Sequence, residues 1–193
     1  DEANAPYGTK RHEEVCRITF ANVERLRNEF GCKAVVIACN TATGAAAAAL
    51  RSALPEFPII GIEPELKSAA LMGERPRVLV MATPLTLRQE KFLELRNRFS
   101  DRADFTLLPC PGLMELIESG HIRDALLKRY LDSLFSALDA DSFDAVVLGC
   151  THYPHIRSEI AAHFPHAAVF DGCRGTAMET KRRLECAGLL SRS

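Results

Sequence analysis

Between Lys10 and Phe30 apolar residues return at helical spacing, with Val15, Ile18, Val23, Leu26 and Phe30 set among charges, which predicts an amphipathic helix. The pattern then changes. Ala34-Val35-Val36-Ile37-Ala38 is apolar at every position and β-branched at its centre, as expected of a parallel strand buried on both faces. Asn40-Thr41 supplies capping residues, and Ala45–Leu50 is a strong helix former. Short apolar runs at Pro58–Ile62, Val78–Met81, Phe105–Leu108, Ala145–Leu148 and Ala167–Phe170 predict further strands. Helical patterns fill the intervals at Leu87–Phe99, Ile122–Leu138, His155–Phe164 and Thr176–Ala187. Strands alternating with helices predict an α/β fold with mainly parallel sheets.

One pattern occurs twice. Lys33-Ala34-Val35-Val36-Ile37-Ala38-Cys39 matches Asp144-Ala145-Val146-Val147-Leu148-Gly149-Cys150: a buried strand, a small residue, then a cysteine. Each follows an amphipathic helix and leads through a Thr-bearing turn into another helix. The repeat predicts two similar α/β halves, each presenting a thiol at the carboxyl edge of its sheet, where open α/β folds bind ligands. The expected first half covers residues 1–62 plus 171–193, with the last helix packing back onto it, and the second covers 63–170. No Gly/Ser linker separates them, so the site is expected in the cleft between the halves.

Composition narrows the partners. The chain has 193 residues, 47% of them apolar, and a formal net charge of -1, which is an ordinary globular composition. A near-neutral balance argues against nucleic acid as the main partner. No apolar run approaches the ~20 residues that cross a bilayer, and no signal-peptide pattern appears, so no membrane association and a cytoplasmic location are expected. Seven cysteines cannot all pair, and there is no C-x-x-C. Cys150, His152 and His155 lack the second pair that a structural zinc site needs. Reduced thiols are the default.

A cysteine at a strand-to-helix turn faces the positive end of the helix dipole, which favours the thiolate, and the free N–H groups there suit a carboxylate. Asn40, Thr41, Thr43 and Thr151 add neutral hydrogen-bonding groups beside the two thiols. Two thiols on opposite sides of one carbon can remove a proton from one face and return one to the other, inverting the centre. The competing reading is a pair of buried structural cysteines. Other thiol chemistries fail on spacing. A phosphatase loop needs five residues between Cys and Arg, whereas six separate Cys150 from Arg157. A Cys–His hydrolase needs its histidine across the cleft, but His152 shares the turn of Cys150.

Ala38-Cys39-Asn40-Thr41-Ala42 and Gly149-Cys150-Thr151-His152-Tyr153-Pro154 resemble the two signature segments of the cofactor-independent glutamate racemases. Pro6-Tyr7-Gly8, Ala82-Thr83-Pro84-Leu85-Thr86, and Cys110-Pro111 followed by Glu118-Ser119-Gly120 resemble further segments of that family, in order across nearly the whole chain. The resemblance implies that Cys39 and Cys150 are the acid–base pair, and that His152 assists Cys150 with Glu118 as its partner. It implies that Asn40, Thr41 and Thr151 bind substrate carboxylate or ammonium. Tyr7 and Gly8 would close the cleft, and Thr83 and Thr86 would add hydroxyls. Plainer roles stand beside these: a turn at Tyr7-Gly8, a helix cap at Thr83 and Thr86, a capping or core His152, and an exposed helix end at Glu118.

The implied reaction interconverts L- and D-glutamate without pyridoxal phosphate or metal, supplying D-glutamate for bacterial peptidoglycan. Glutamate is the implied small-molecule partner, and the assembly is left open to a homodimer. Alternatives are an aspartate or related racemase, against which His152 argues, and a truncated, non-catalytic binding protein. Two departures from the family pattern matter. Its opening strand and Asp-Ser-Gly segment would precede Asp1, and Asp171-Gly172-Cys173 lacks a serine between Asp and Gly. The expectation is therefore that the organism's protein is longer and that the chain as written is inactive.

Overall fold

The alternation of helices and short strands resolves into two parallel sheets in a computed structural model that describes residues 1–190. Residues 191–193, the end of the expected first half, lie outside the described residues. The elements run α1 (His12–Asn28), β1 (Val35–Ile37), α2 (Asn40–Ala53), β2 (Ile59–Gly61), α3 (Leu66–Ala70), β3 (Arg77–Ala82), α4 (Pro84–Arg88) and α5 (Glu90–Asn97). They continue with β4 (Asp104–Pro109), α6 (Leu113–Glu118), α7 (Ala125–Phe135), β5 (Ala145–Leu148), α8 (Arg157–His163), β6 (Ala168–Asp171) and α9 (Cys173–Cys186). Short 3-10 turns occupy Glu2–Asn4, Ala140–Ser142 and Tyr153–Ile156.

All six expected strands form. Among the described residues β1 pairs only with β2, in the register Val35↔Ile59 to Ile37↔Gly61. The other sheet has the order β4-β3-β5-β6, every pair parallel. Its central strands are apolar on both faces. Leu79, Met81, Val146 and Leu148 pack with residues of α6, α7 and α8, while Val78, Val80, Ala145 and Val147 pack with residues of α3 and α5. A separate core of Val15, Val23, Ile37, Ala46, Leu50 and Ile59 joins α1 and α2 to the small sheet. Helix α9 packs against β2, and Lys33 Nζ donates to the Leu189 carbonyl.

Five local expectations are corrected. Val36 is 41% exposed, so β1 is not buried on both faces: its side chain lines an open cavity where a fully buried strand would meet a helix. Asn40 and Thr41 do not cap α2. The cap is Cys39, whose extended backbone (φ -144°, ψ 121°) continues the strand direction and whose sulfur accepts from the Ala42 N–H. The helix expected over Leu87–Phe99 is two, because Gln89 is extended (φ -69°, ψ 136°) between α4 and α5. The helix expected over Ile122–Leu138 shortens to α7, because Asp124 takes extended backbone and its carboxylate accepts from the Leu126 and Leu127 N–H groups. α9 begins at Cys173, three residues earlier than expected, once the Asp171 carboxylate accepts from the Cys173 N–H.

Candidate active site

The two repeated segments place their thiols alike. Cys39 lies two residues beyond the last residue of β1, and Cys150 two residues beyond the last residue of β5. Gly149 makes the second turn possible: a Cβ there would stand 2.9 Å from both the Ala82 Cβ and the Met81 carbonyl oxygen. The two segments meet at one cavity of about 710 Å³, lined by Cys39, Asn40, Thr41, Cys150, Thr151 and His152. Tyr7, Gly8, Thr83 and Glu118 also line it.

The Cys39 side is built from a helix start and hydroxyls. Thr41 Oγ1 lies 3.1 Å from Thr83 Oγ1 and 2.9 Å from Thr86 Oγ1, all three groups buried. Thr83 also caps α4, accepting from the Thr86 N–H at 3.2 Å. Thr86 does not line the main cavity; its hydroxyl backs Thr41 instead. Asn40 lines the cavity, and its Oδ1 atom is buried with no hydrogen-bond partner among the described residues. Tyr7 Oη donates to Asp1 at 2.5 Å, and Asn22 Nδ2 donates to the same carboxylate at 2.9 Å.

Cys150 has a different neighbourhood. Its sulfur is 3.7 Å from His152 Nδ1, and His152 Nε2 is 2.5 Å from Glu118 Oε1. This Cys–His–Glu chain runs from the cavity wall to a carboxylate that is well exposed. No histidine and carboxylate stand behind Cys39 among the described residues; its sulfur accepts from the Ala42 N–H at 3.5 Å, with Thr41 as a second donor at the start of α2.

Helix position does not make these thiols acidic, contrary to the sequence expectation. Burial raises the Cys39 pKa, and the Ala42 and Thr41 donors offset this only in part. Burial likewise pushes Cys150 up to about 12; the His152 backbone N–H lowers it, while negative charge at Cys39 and Glu115 raises it further. Desolvation of the charged form outweighs the helix-end donors. Burial also raises the Tyr7 pKa, with charge on Cys39 adding to the effect. Charge on Cys39 thus discourages ionisation of Cys150, so the state with both thiols ionised is disfavoured.

The cavity also holds residues that the sequence reading missed. Thr19, Asn22 and Leu26 of α1, Val36 of β1, and Met114 of α6 line it. A signal for two of them was present: Thr19 and Asn22 interrupt the apolar stripe of α1 that runs through Val15, Val23 and Leu26. Met114 carried none, because its short helix was not distinguished from a loop.

A family model described as Asp/Glu/Hydantoin racemase matches residues 1–180. The chain is 43% identical over 191 residues to a glutamate racemase of Clostridium acetobutylicum, an alignment covering 99% of this chain and 74% of that protein. Its fold superposes on the crystal structure of glutamate racemase isoform RacE1 from Bacillus anthracis with a TM-score of 0.87, 29% identity, and coverage of 100% of this chain and 73% of that one. Glutamate racemase from Escherichia coli, crystallised with L-glutamate and the activator UDP-MurNAc-ala, gives a TM-score of 0.84 at 29% identity, covering 96% and 70% of the two chains.

Proposed function

The chain belongs to the Asp/Glu/hydantoin racemase family, and from that premise we propose that it interconverts L- and D-glutamate by two-base proton transfer between Cys39 and Cys150. One observation carries the reading: two thiols supplied by separate parallel sheets open into a single cavity. In this reading residues 1–62 with the segment from 171 form one wall of the cleft, and 63–170 form the other.

The proposed step is balanced without any group beyond the side chains. One cysteine thiolate takes the α-proton as the C–H bond breaks, and the electron pair moves into the α-carboxylate. The S–H of the other cysteine then protonates the opposite face and is left as the thiolate. The reverse reaction runs the same path backwards. The mutual repulsion of the two thiolates favours one base and one acid at a time, as the reaction requires. The raised pKa values mean that a substrate ammonium entering the cavity helps to create the thiolate, since a nearby cation favours the charged form.

His152 is proposed to hold and exchange the Cys150 proton, oriented by Glu118. Asn40, Thr41 and Thr151 are proposed to receive the carboxylate and ammonium of the substrate, with Thr83 completing the wall and Thr86 supporting Thr41. Tyr7 and Gly8 would cover the far end. The product of the proposed direction, D-glutamate, is a peptidoglycan building block, which is the role implied by the sequence resemblance. Glutamate and aspartate, each supplied as a single enantiomer to the full-length protein, would be followed by polarimetry in D2O. The expected result is loss of optical rotation and α-deuteration for glutamate and not for aspartate. A stable rotation with glutamate would overturn the proposal.

A further inference from the structure

Gln89 stands where the expected long helix breaks, and the break turns its side chain inward. It is 5% exposed, and its Nε2 donates to the Thr41 carbonyl at 2.9 Å. Thr41 lies in the first turn of α2, two residues after Cys39. The other end of the amide occupies a place made for it. Gly44, inside α2, faces Gln89 so closely that a Cβ there would lie 2.0 Å from the amide oxygen. A glycine inside a helix costs about 1 kcal/mol relative to alanine, and here the missing methyl makes the socket. A separate link runs alongside, because Lys91 pairs with Glu63 at 2.8 Å.

We propose that Gln89 is a positioning residue that clamps the start of α2, and with it Cys39, against the α4–α5 break, and that Gly44 is its socket. The proposal rests on the two-thiol reading above. It gives the α4–α5 break a purpose, since the break carries an amide from one side of the cleft to the backbone beside the thiol on the other. Thr41 is then held twice, by hydroxyls of Thr83 and Thr86 at its side chain and by Gln89 at its carbonyl.

The test uses variants of the full-length protein. Gln89→Met keeps the volume and loses the donor; it should lower kcat for glutamate at least ten-fold. Gln89→Glu gives a sharper readout. Its neutral acid can donate to the Thr41 carbonyl and its carboxylate cannot, so its kcat relative to wild type should fall as pH rises, while the ratio for Gln89→Met stays flat. Gly44→Ala should also lower kcat, although helix propensity alone favours it. Gly44→Ala combined with Gln89→Ala should be no slower than Gln89→Ala alone, because the methyl then has room.

Iodoacetamide labelling adds a readout that needs no turnover. In Gln89→Met, Cys39 should alkylate at least three-fold faster while Cys150 keeps its rate. A Gln89→Met enzyme within two-fold of wild type, Gly44→Ala and Gln89→Ala effects that multiply, or unchanged Cys39 labelling would each overturn the clamp. Clamped labelling behaviour in a protein that leaves glutamate untouched would instead overturn the proposed function and retain the clamp.

Discussion

Cys39 and Cys150 leave their strands by the same step, yet they rest on unequal foundations. Behind Cys150 stands a four-stranded sheet whose central strands are buried from Val78 to Ala82 and from Ala145 to Leu148, with helices packed on both faces. Behind Cys39 stands a pair of three-residue strands, each with its outer edge unpaired among the described residues, and β1 carries an exposed valine. The polar arrangement differs as well: Cys150 has a histidine and a carboxylate, while Cys39 has a backbone N–H and is held through α2. The proposed two-base reaction would need both thiols equally, because each would be the acid in one direction and the base in the other. The proposed reaction would thus place equal chemistry on one deeply buried, charge-supported site and on one site held through α2.

The hardest way to break this comparison is to delete either thiol. Cys39→Ala and Cys150→Ala should each lower glutamate racemisation at least 1,000-fold, about 4 kcal/mol in barrier, since a methyl neither takes nor gives a proton. Cys→Ser should be nearly as damaging, because a hydroxyl ionises far less readily than a thiol. Turnover above a tenth of wild type in either alanine variant would show that one base suffices.

The unequal sheets can be compared by trimming one valine in each. Val147 is wholly buried at the centre of the large sheet, so Val147→Ala should cost about 2–3 kcal/mol in urea unfolding. Val36→Ala, at the exposed face of β1, should stay within ~0.5 kcal/mol. Equal costs would mean that β1 is covered in solution by something that buries Val36.

The polar asymmetry is tested by His152→Ala, expected to lower turnover about ten-fold, or ~1.4 kcal/mol, with Glu118→Gln smaller. The more telling readout is isotopic. When Cys150 becomes the slower partner, the α-deuterium isotope effect should rise for the enantiomer whose proton Cys150 removes and fall for the other. Isotope effects that change equally for both enantiomers would remove His152 from the Cys150 side.

Much of this was legible from residue order alone. The six strands declared themselves through β-branched runs, and the two thiols through the repeat of strand, small residue and cysteine. What escaped has definable causes. Helices α3 and α6 have five and six residues, too few for periodicity to separate them from loops. The break at Gln89 has no proline or glycine; it is stabilised by a contact with α2, a partner remote in sequence. Thr86 belongs to the turn that resembles the family, but its hydroxyl points at Thr41, and only packing decides that direction. The acidity of the thiols was misjudged because a helix start is visible in sequence and the depth of burial is not.

That last misjudgement leads to the smallest effect. Burial holds Cys150 and Cys110 at about 12, against an ordinary thiol value near 9, and both belong to the core of the large sheet. A group that keeps its proton more tightly when folded leaves stability intact below the unfolded pKa. Above it the unfolded chain releases the proton first, so unfolding becomes easier as pH rises toward the folded value. From pH 9 upward each of these thiols should therefore remove up to ~1.4 kcal/mol per pH unit. Urea midpoints measured between pH 8 and 10.5 should fall with rising pH, and Cys150→Ala should fall less steeply than wild type. Cys39 sits higher than an ordinary thiol too, with burial opposed by the donors at the start of α2. Cys39→Ala should therefore flatten the alkaline slope as well. If the two variants flatten it equally, the two thiols are equally costly to ionise, and the difference between their foundations does not reach the sulfur atoms.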